Sequence, residues 1–146
     1  MDNNLDERQL LARGKIFKHT TFLFIGLLFL ESVLQSFFEI TFFEGMWSKP
    51  AIILTAITAM SAEMIWRDAY PLTGKGRAFL FGFLGIAGLA CLIIGIVEFA
   101  VSNETLTSGK SLSETAALLF FSVLFIFSGV IYIVKLVKSK TKKEDE

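Results

Sequence analysis

Thr115–Val134, TAALLFFSVLFIFSGVIYIV, runs without a single charged side chain. As an α-helix at about 1.5 Å per residue it reaches roughly the 30 Å of a bilayer's hydrocarbon core. Three more stretches of this kind precede it, at 20–43, 51–69 and 78–101. Inside all four the only charged residues are Glu31, Glu39, Glu63, Arg67, Asp68 and Glu98; every other charge lies between or beyond them. That partition is what lipid as a solvent imposes, because an ionised group in hydrocarbon is costly. The whole chain agrees: 146 residues, 53% hydrophobic, with 16 phenylalanines and a mean hydropathy of +0.62, are too apolar for an ordinary soluble domain. The expectation is an all-α protein, a four-helix transmembrane bundle forming a single membrane domain over 1–146. The first stretch reads as a retained anchor, since Glu31-Ser32-Val33-Leu34 continues as helix where a signal peptide would carry a small-residue cleavage site.

Orientation follows from the basic residues, which resist translocation when they sit in short loops. Arg8, Arg13, Lys15 and Lys18 precede the first stretch. Arg67, Lys75 and Arg77 surround the second connection, and Lys135, Lys138, Lys140, Lys142 and Lys143 follow the fourth stretch. Only Lys49 and Lys110 fall in the other two connections. Both termini are therefore expected in the cytoplasm of a multi-pass plasma-membrane protein.

Local signals mark the ends. Ser48 and Pro50 suit the first turn of the second helix, and Ser111-x-x-Glu114 reads as a capping box for the fourth. Phe42, Phe43 and Trp47 on the outer side, with Trp66, Tyr70 and Tyr132 on the inner side, suit interfacial aromatic belts. Before the first span, Asn3–Arg13 can form a short amphipathic cytoplasmic helix, with Gly14 loosening the join. The charged tail 138–146 reads as disordered. No inverted repeat is visible.

Several functions are excluded or left without support. A net charge of zero and no basic face interleaved with aromatics argue against direct nucleic-acid binding. One cysteine, Cys91, and one histidine, His19, leave no disulfide framework, no metal cluster and no Cys/His or Ser/His/Asp nucleophile set. Gly74-Lys75-Gly76-Arg77 lacks the spacing and context of a phosphate-binding loop, so no cofactor is expected.

The residues that invite a chemical role are Glu31 and Glu63. Glu31 lies about 16 Å up the first helix from Thr20, and Glu63 about 9–13 Å up the second from Ala69. Glu31, Gln35 and Glu39 recur every four residues as one polar stripe, and Glu63 precedes Arg67 at the spacing of a same-face ion pair. Two readings stand. Glu31, Gln35 and Glu63 could bind a cation or pass a proton between adjacent helices. Alternatively, Glu63 pairs with Arg67 and Glu31 is an interhelical hydrogen-bonding group. Glu98 falls near the outer head groups. On the third helix Gly82, Gly85, Gly88, Cys91 and Gly95 offer small-residue surfaces for close helix packing, within the chain or in a homo-oligomer.

The run Asp6-Glu7-Arg8-Gln9, then Arg13-Gly14-Lys15-Ile16-Phe17-Lys18-His19, resembles the start of small multi-span membrane proteins of Gram-positive bacteria that open with an Asp-Glu-Arg-Gln motif. Gly45-Met46-Trp47, leading into a polar second span with Glu63 and Arg67, adds to the likeness. The resemblance implies a bacterial plasma-membrane location and a cytoplasmic regulatory partner. It also implies a docking role for Asp6, Glu7, Arg8 and Arg13; it carries no substrate and no catalytic residues. The expected function is a non-enzymatic sensing or interaction protein. The alternative is a small proton- or cation-coupled transporter or channel that uses Glu31 and Glu63 as an oligomer.

Overall fold

The computed structural model describes residues 7–70, 74–102 and 106–144. Among the described residues there are four helices: α1 (Glu7–Phe38), α2 (Ser48–Trp66), α3 (Gly74–Ser102) and α4 (Glu114–Glu144). A short hairpin of β1 (Thr107–Ser108) and β2 (Ser111–Leu112) precedes α4. Three of the helices contain segments long and apolar enough to cross a membrane: Glu7–Phe38, Lys75–Val101 and Glu114–Ser139. The fourth, α2, has 19 residues and includes Lys49 and Glu63. Its position accounts for its polarity, because α2 lies between α1 and α4 and buries Ala51, Ile52, Ala56, Thr58, Met64 and Ile65 against them.

The helices are ordered in space α1, α2, α4, α3, each neighbour packing on the next. Among the described residues substantial contact is absent between α1 and α3, so the arrangement is an open row and not the closed bundle expected from the sequence. Both edge helices leave long apolar faces uncovered, including Phe22, Ile25 and Phe29 on α1 and Phe79, Phe83 and Ile86 on α3.

The separate amphipathic N-terminal helix is not formed. α1 is continuous from Glu7, and Gly14 is an ordinary helical residue within it. A helical glycine costs only about 1 kcal/mol. Packing offsets this on both sides of Gly14, because Ala12 and Ile16 sit against Met60, Met64, Ala69 and Tyr70 of α2 and its C-terminal turn. Likewise, residues 138–144, expected as a disordered tail, continue α4.

The helix ends use different residues from those the sequence suggested. α1 stops at Phe38 because Glu39 turns left-handed (φ 56°). Its N–H donates to Gln35 O at 3.2 Å, and that of Ile40 donates to Leu34 O at 3.2 Å. α2 ends with Asp68 at φ 54°, and Asp68 N–H to Ile65 O (3.3 Å) plus Ala69 N–H to Met64 O (2.9 Å) make a Schellman closure. α4 is capped by Ser113, whose Oγ accepts from Ala116 N–H at 3.3 Å, and not by Ser111. Ser111 belongs to β2, where its hydroxyl lies 2.8 Å from that of Thr41.

At that end of the molecule the two connections knit together. Gly109 (φ 60°) lies in the two-residue turn of the hairpin, and Thr107 pairs with Leu112 and Ser108 with Ser111. The 39–47 connection then adds alongside: Glu44 N–H donates to Leu112 O (2.8 Å) and Leu112 N–H to Phe42 O (3.2 Å). Beneath them Phe43, 4% exposed, packs on Phe120 and Phe121, with Trp47 against Phe121. Phe43 is therefore core, where the sequence suggested an interfacial belt.

Candidate functional site

The antiparallel contact of α1 with α2 determines where the carboxylates of Glu31 and Glu63 go. Near the hairpin end, Glu31 is buried (7% exposed) and its Oε1 accepts a hydrogen bond from Ser48 Oγ. Ser48 is the first residue of α2, so the carboxyl group sits at the positive end of that helix dipole. A polar group taken out of solvent thereby gains both a donor and a favourable field. Ser48 thus serves Glu31 and not the helix terminus. Trp47 occupies the N-cap position, with no side-chain cap, and Pro50 falls within the first turn, where N–H groups have no helical acceptor.

Glu63 lies at the other end of the interface. Its Oε1 is 2.8 Å from Arg67 Nη2 one turn along α2 and 3.4 Å from His19 Nδ1 on α1. His19 and Glu31 are twelve residues apart on one helix, which separates the two carboxylates by about 18 Å along the interface. They do not form a common site. Gln35 is exposed, and Glu39 has left the helix and stands 3.7 Å from Lys110, so the polar stripe ends at Gln35.

A second cluster gathers where α2 ends. Arg13 Nε donates to Ala69 O at 2.7 Å. Lys135 Nζ reaches Trp66 O at 3.1 Å and Asp68 Oδ2 at 2.8 Å, and Lys138 Nζ lies 4.7 Å from the Trp66 ring centroid. Helices α1 and α4 therefore both bring cations to the negative end of the α2 dipole. Among the described residues Arg13 Nη2 is buried without a hydrogen-bond partner, as is Arg77 Nε on α3. Among the residues suggested for partner docking, Glu7 and Arg8 are exposed on the first turns of α1, Arg13 is tied to the end of α2, and Asp6 lies outside the described residues.

The α3–α4 contact is built on glycine. A Cβ on Gly88 would come within 2.9 Å of Ile126 N and Phe125 Cβ. One on Gly95 would come within 2.9 Å of Leu118 and Leu119, and one on Gly129 within 3.3 Å of Gly85 Cα. Gly82 and Gly85 have open space at that position, and Cys91 is half-buried and free. Among the described residues no three His, Cys, Asp or Glu side chains are grouped to hold a metal ion.

Sequence reasoning missed His19 as a partner of Glu63 and Ser48 as the partner of Glu31. The available signal was the short α1–α2 connection, which makes those helices antiparallel neighbours; helix rotation was the missing quantity. It also missed Asp68 with Lys135, on elements far apart in the chain. Comparison of the chain with protein-family models, with curated proteins and with solved structures finds no match.

Proposed function

We propose that the chain is a four-span protein of a bacterial plasma membrane, both termini in the cytoplasm, that works by interaction and not by catalysis. The observation that carries this reading is the continuity of α1. Residues 7–19 form an arm about 18 Å long, with Glu7, Arg8, Lys15 and Lys18 exposed along it, joined without a break to the apolar part of the same helix. Arg13 fastens the arm to the end of α2, which is itself held by Lys135 of α4. A partner that pulls on the arm therefore acts on three helices at once, and a displacement of α1 in the bilayer is presented at the arm. The uneven distribution of Lys and Arg supports placing this end in the cytoplasm.

Affinity purification from native membranes of the whole chain, beside Arg8→Glu and a chain lacking residues 2–14, tests this. A stoichiometric cytoplasmic protein that is retained by the whole chain and lost from both variants is expected. Absence of any such partner overturns the interaction reading. The transport alternative makes the opposite forecast: proton or monovalent-cation flux into proteoliposomes that Glu31→Gln and Glu63→Gln abolish. The 18 Å separation of the two carboxylates, about twelve residues of helix, with each already partnered, weighs against it.

A further inference from the structure

We propose that the groove between α3 and α4 holds one acyl chain of a phospholipid whose anionic head group is met by Lys75. The groove is open on one side, has a volume of about 360 Å³ and walls that are almost wholly apolar; Ala78, Gly82, Gly85 and Leu89 line it on α3, and Gly129 and Ile133 on α4. It exists because side chains are small there: a Cβ at Gly82 or Gly85 would meet nothing within 4 Å. At its Lys75 end the stacked rings of Phe81 and Tyr132, 5.4 Å apart, form a flat wall.

Its length identifies the occupant. From Ala78 to Leu89 the groove follows α3 for about 16 Å, close to half of a roughly 30 Å hydrocarbon core, which is the depth of one leaflet. The lining on α3 ends at Leu89; Ile93 and Ile96, which follow on that face of the helix, are exposed and do not line the recess. A helix from a second copy would offer the groove a matching apolar face but no anion for Lys75 at its end, whereas a single anionic lipid offers both. Charge marks the entrance. Lys75 lies three residues before Ala78 and seven before Gly82, so helical periodicity puts it on the groove's face one turn beyond its end, where it is exposed. A lysine at that level favours an anionic over a zwitterionic head group.

This rests on α3 and α4 crossing a bilayer. Release of the chain from membranes by alkaline carbonate would defeat that premise itself, so the two failures are distinguishable. The test is native mass spectrometry of the protein released from nanodiscs of equal phosphatidylglycerol and phosphatidylcholine. One retained lipid per chain is expected, with phosphatidylglycerol preferred about fivefold. Gly82→Leu with Gly85→Leu should lose it, and Gly26→Leu on α1, which also projects into open space, should not. Lys75→Gln should equalise the two lipids without lowering the total. Should the double variant fail to fold, a phosphatidylglycerol with a photoreactive acyl chain should label 78–89 and 126–133 in the unaltered protein. Equal lipid retention in the filled variant, labelling spread evenly over α1 and α3, or a dimer that the filled variant abolishes would each overturn the proposal, the last by giving the groove to a second copy.

Discussion

At the scale of single residues two left-handed carboxylates, Glu39 and Asp68, each carry a conformational cost. Glu39 and Asp68 both hold positive φ, a conformation that penalises an L side chain by about 1–2 kcal/mol and glycine not at all. Glu39 is 87% exposed and its ion pair with Lys110 is long, so little is lost by removing it. Glu39→Gly is therefore expected to stabilise the protein by about 1 kcal/mol, read as a rise in the thermal unfolding midpoint in detergent. No rise would mean that the helix end is not strained. Glu31 behaves oppositely. Ser48→Ala removes the donor to a buried carboxyl group and should cost about 1–3 kcal/mol. Combining it with Glu31→Leu should recover most of that, because an apolar pair leaves no polar atom unpaired. A double-mutant cycle by thermal unfolding measures the coupling, and additivity would show that the hydrogen bond carries no weight.

At the scale of elements the α3–α4 contact shows that one residue type can have different consequences along one helix. At Gly88 the atoms in the way include the backbone nitrogen of Ile126, which cannot yield without moving α4. At Gly95 they are the outer carbons of Leu118 and Leu119, which can rotate aside. Gly88→Ala is accordingly expected to destabilise by about 1–3 kcal/mol. Gly95→Ala should be near neutral, since the gain of about 1 kcal/mol in helix propensity offsets the repacking. Thermal unfolding of the two variants side by side checks the ordering, and equal losses would contradict it. Gly88 and Gly95 were legible in the sequence among small residues of α3 suited to close packing, whereas a Cβ on Gly82 or Gly85, read the same way, would meet nothing within 4 Å; the apolar lengths of α1, α3 and α4 were legible too, because a run without charges is written residue by residue. Which glycines touch α4 was not, since that depends on the rotation of both helices. The hairpin was hidden for another reason. Its strands are two residues each and polar, and its further pairing with Phe42 and Glu44 comes from a connection distant in the chain. Ser111 could be read only from its local spacing, as a cap, whereas Thr41 claims its hydroxyl and Ser113 takes the capping role.

For the whole molecule the decisive feature is the order α1, α2, α4, α3, which no local pattern announces. The chain places α2 in the middle although it lacks the apolar length of the other three, and leaves α1 and α3 at the edges. The polarity of α2 follows its position: Ser48, Thr58 and Glu63 all face protein, while the edge helices expose an apolar surface. Among the described residues such a row is held by three interfaces and nothing substantial closes it, so α1 depends chiefly on α2, through Glu31–Ser48, His19–Glu63, Arg13–Ala69 and the packing between them. Disulfide trapping distinguishes a row from a closed bundle. After Cys91→Ser, the pair Thr107→Cys and Leu112→Cys is the positive control and should cross-link within one chain, because these register partners of the hairpin have Cα atoms about 5 Å apart. The pair Ile25→Cys and Ile86→Cys, on the uncovered faces of α1 and α3, should not, since a disulfide requires Cα atoms within about 7 Å. Mixing differently tagged copies separates links within a chain from links between chains. An intrachain link in the Ile25→Cys, Ile86→Cys variant would mean that the helices close into a bundle, and the proposed passage of a displacement from the arm along α1 would lose its basis.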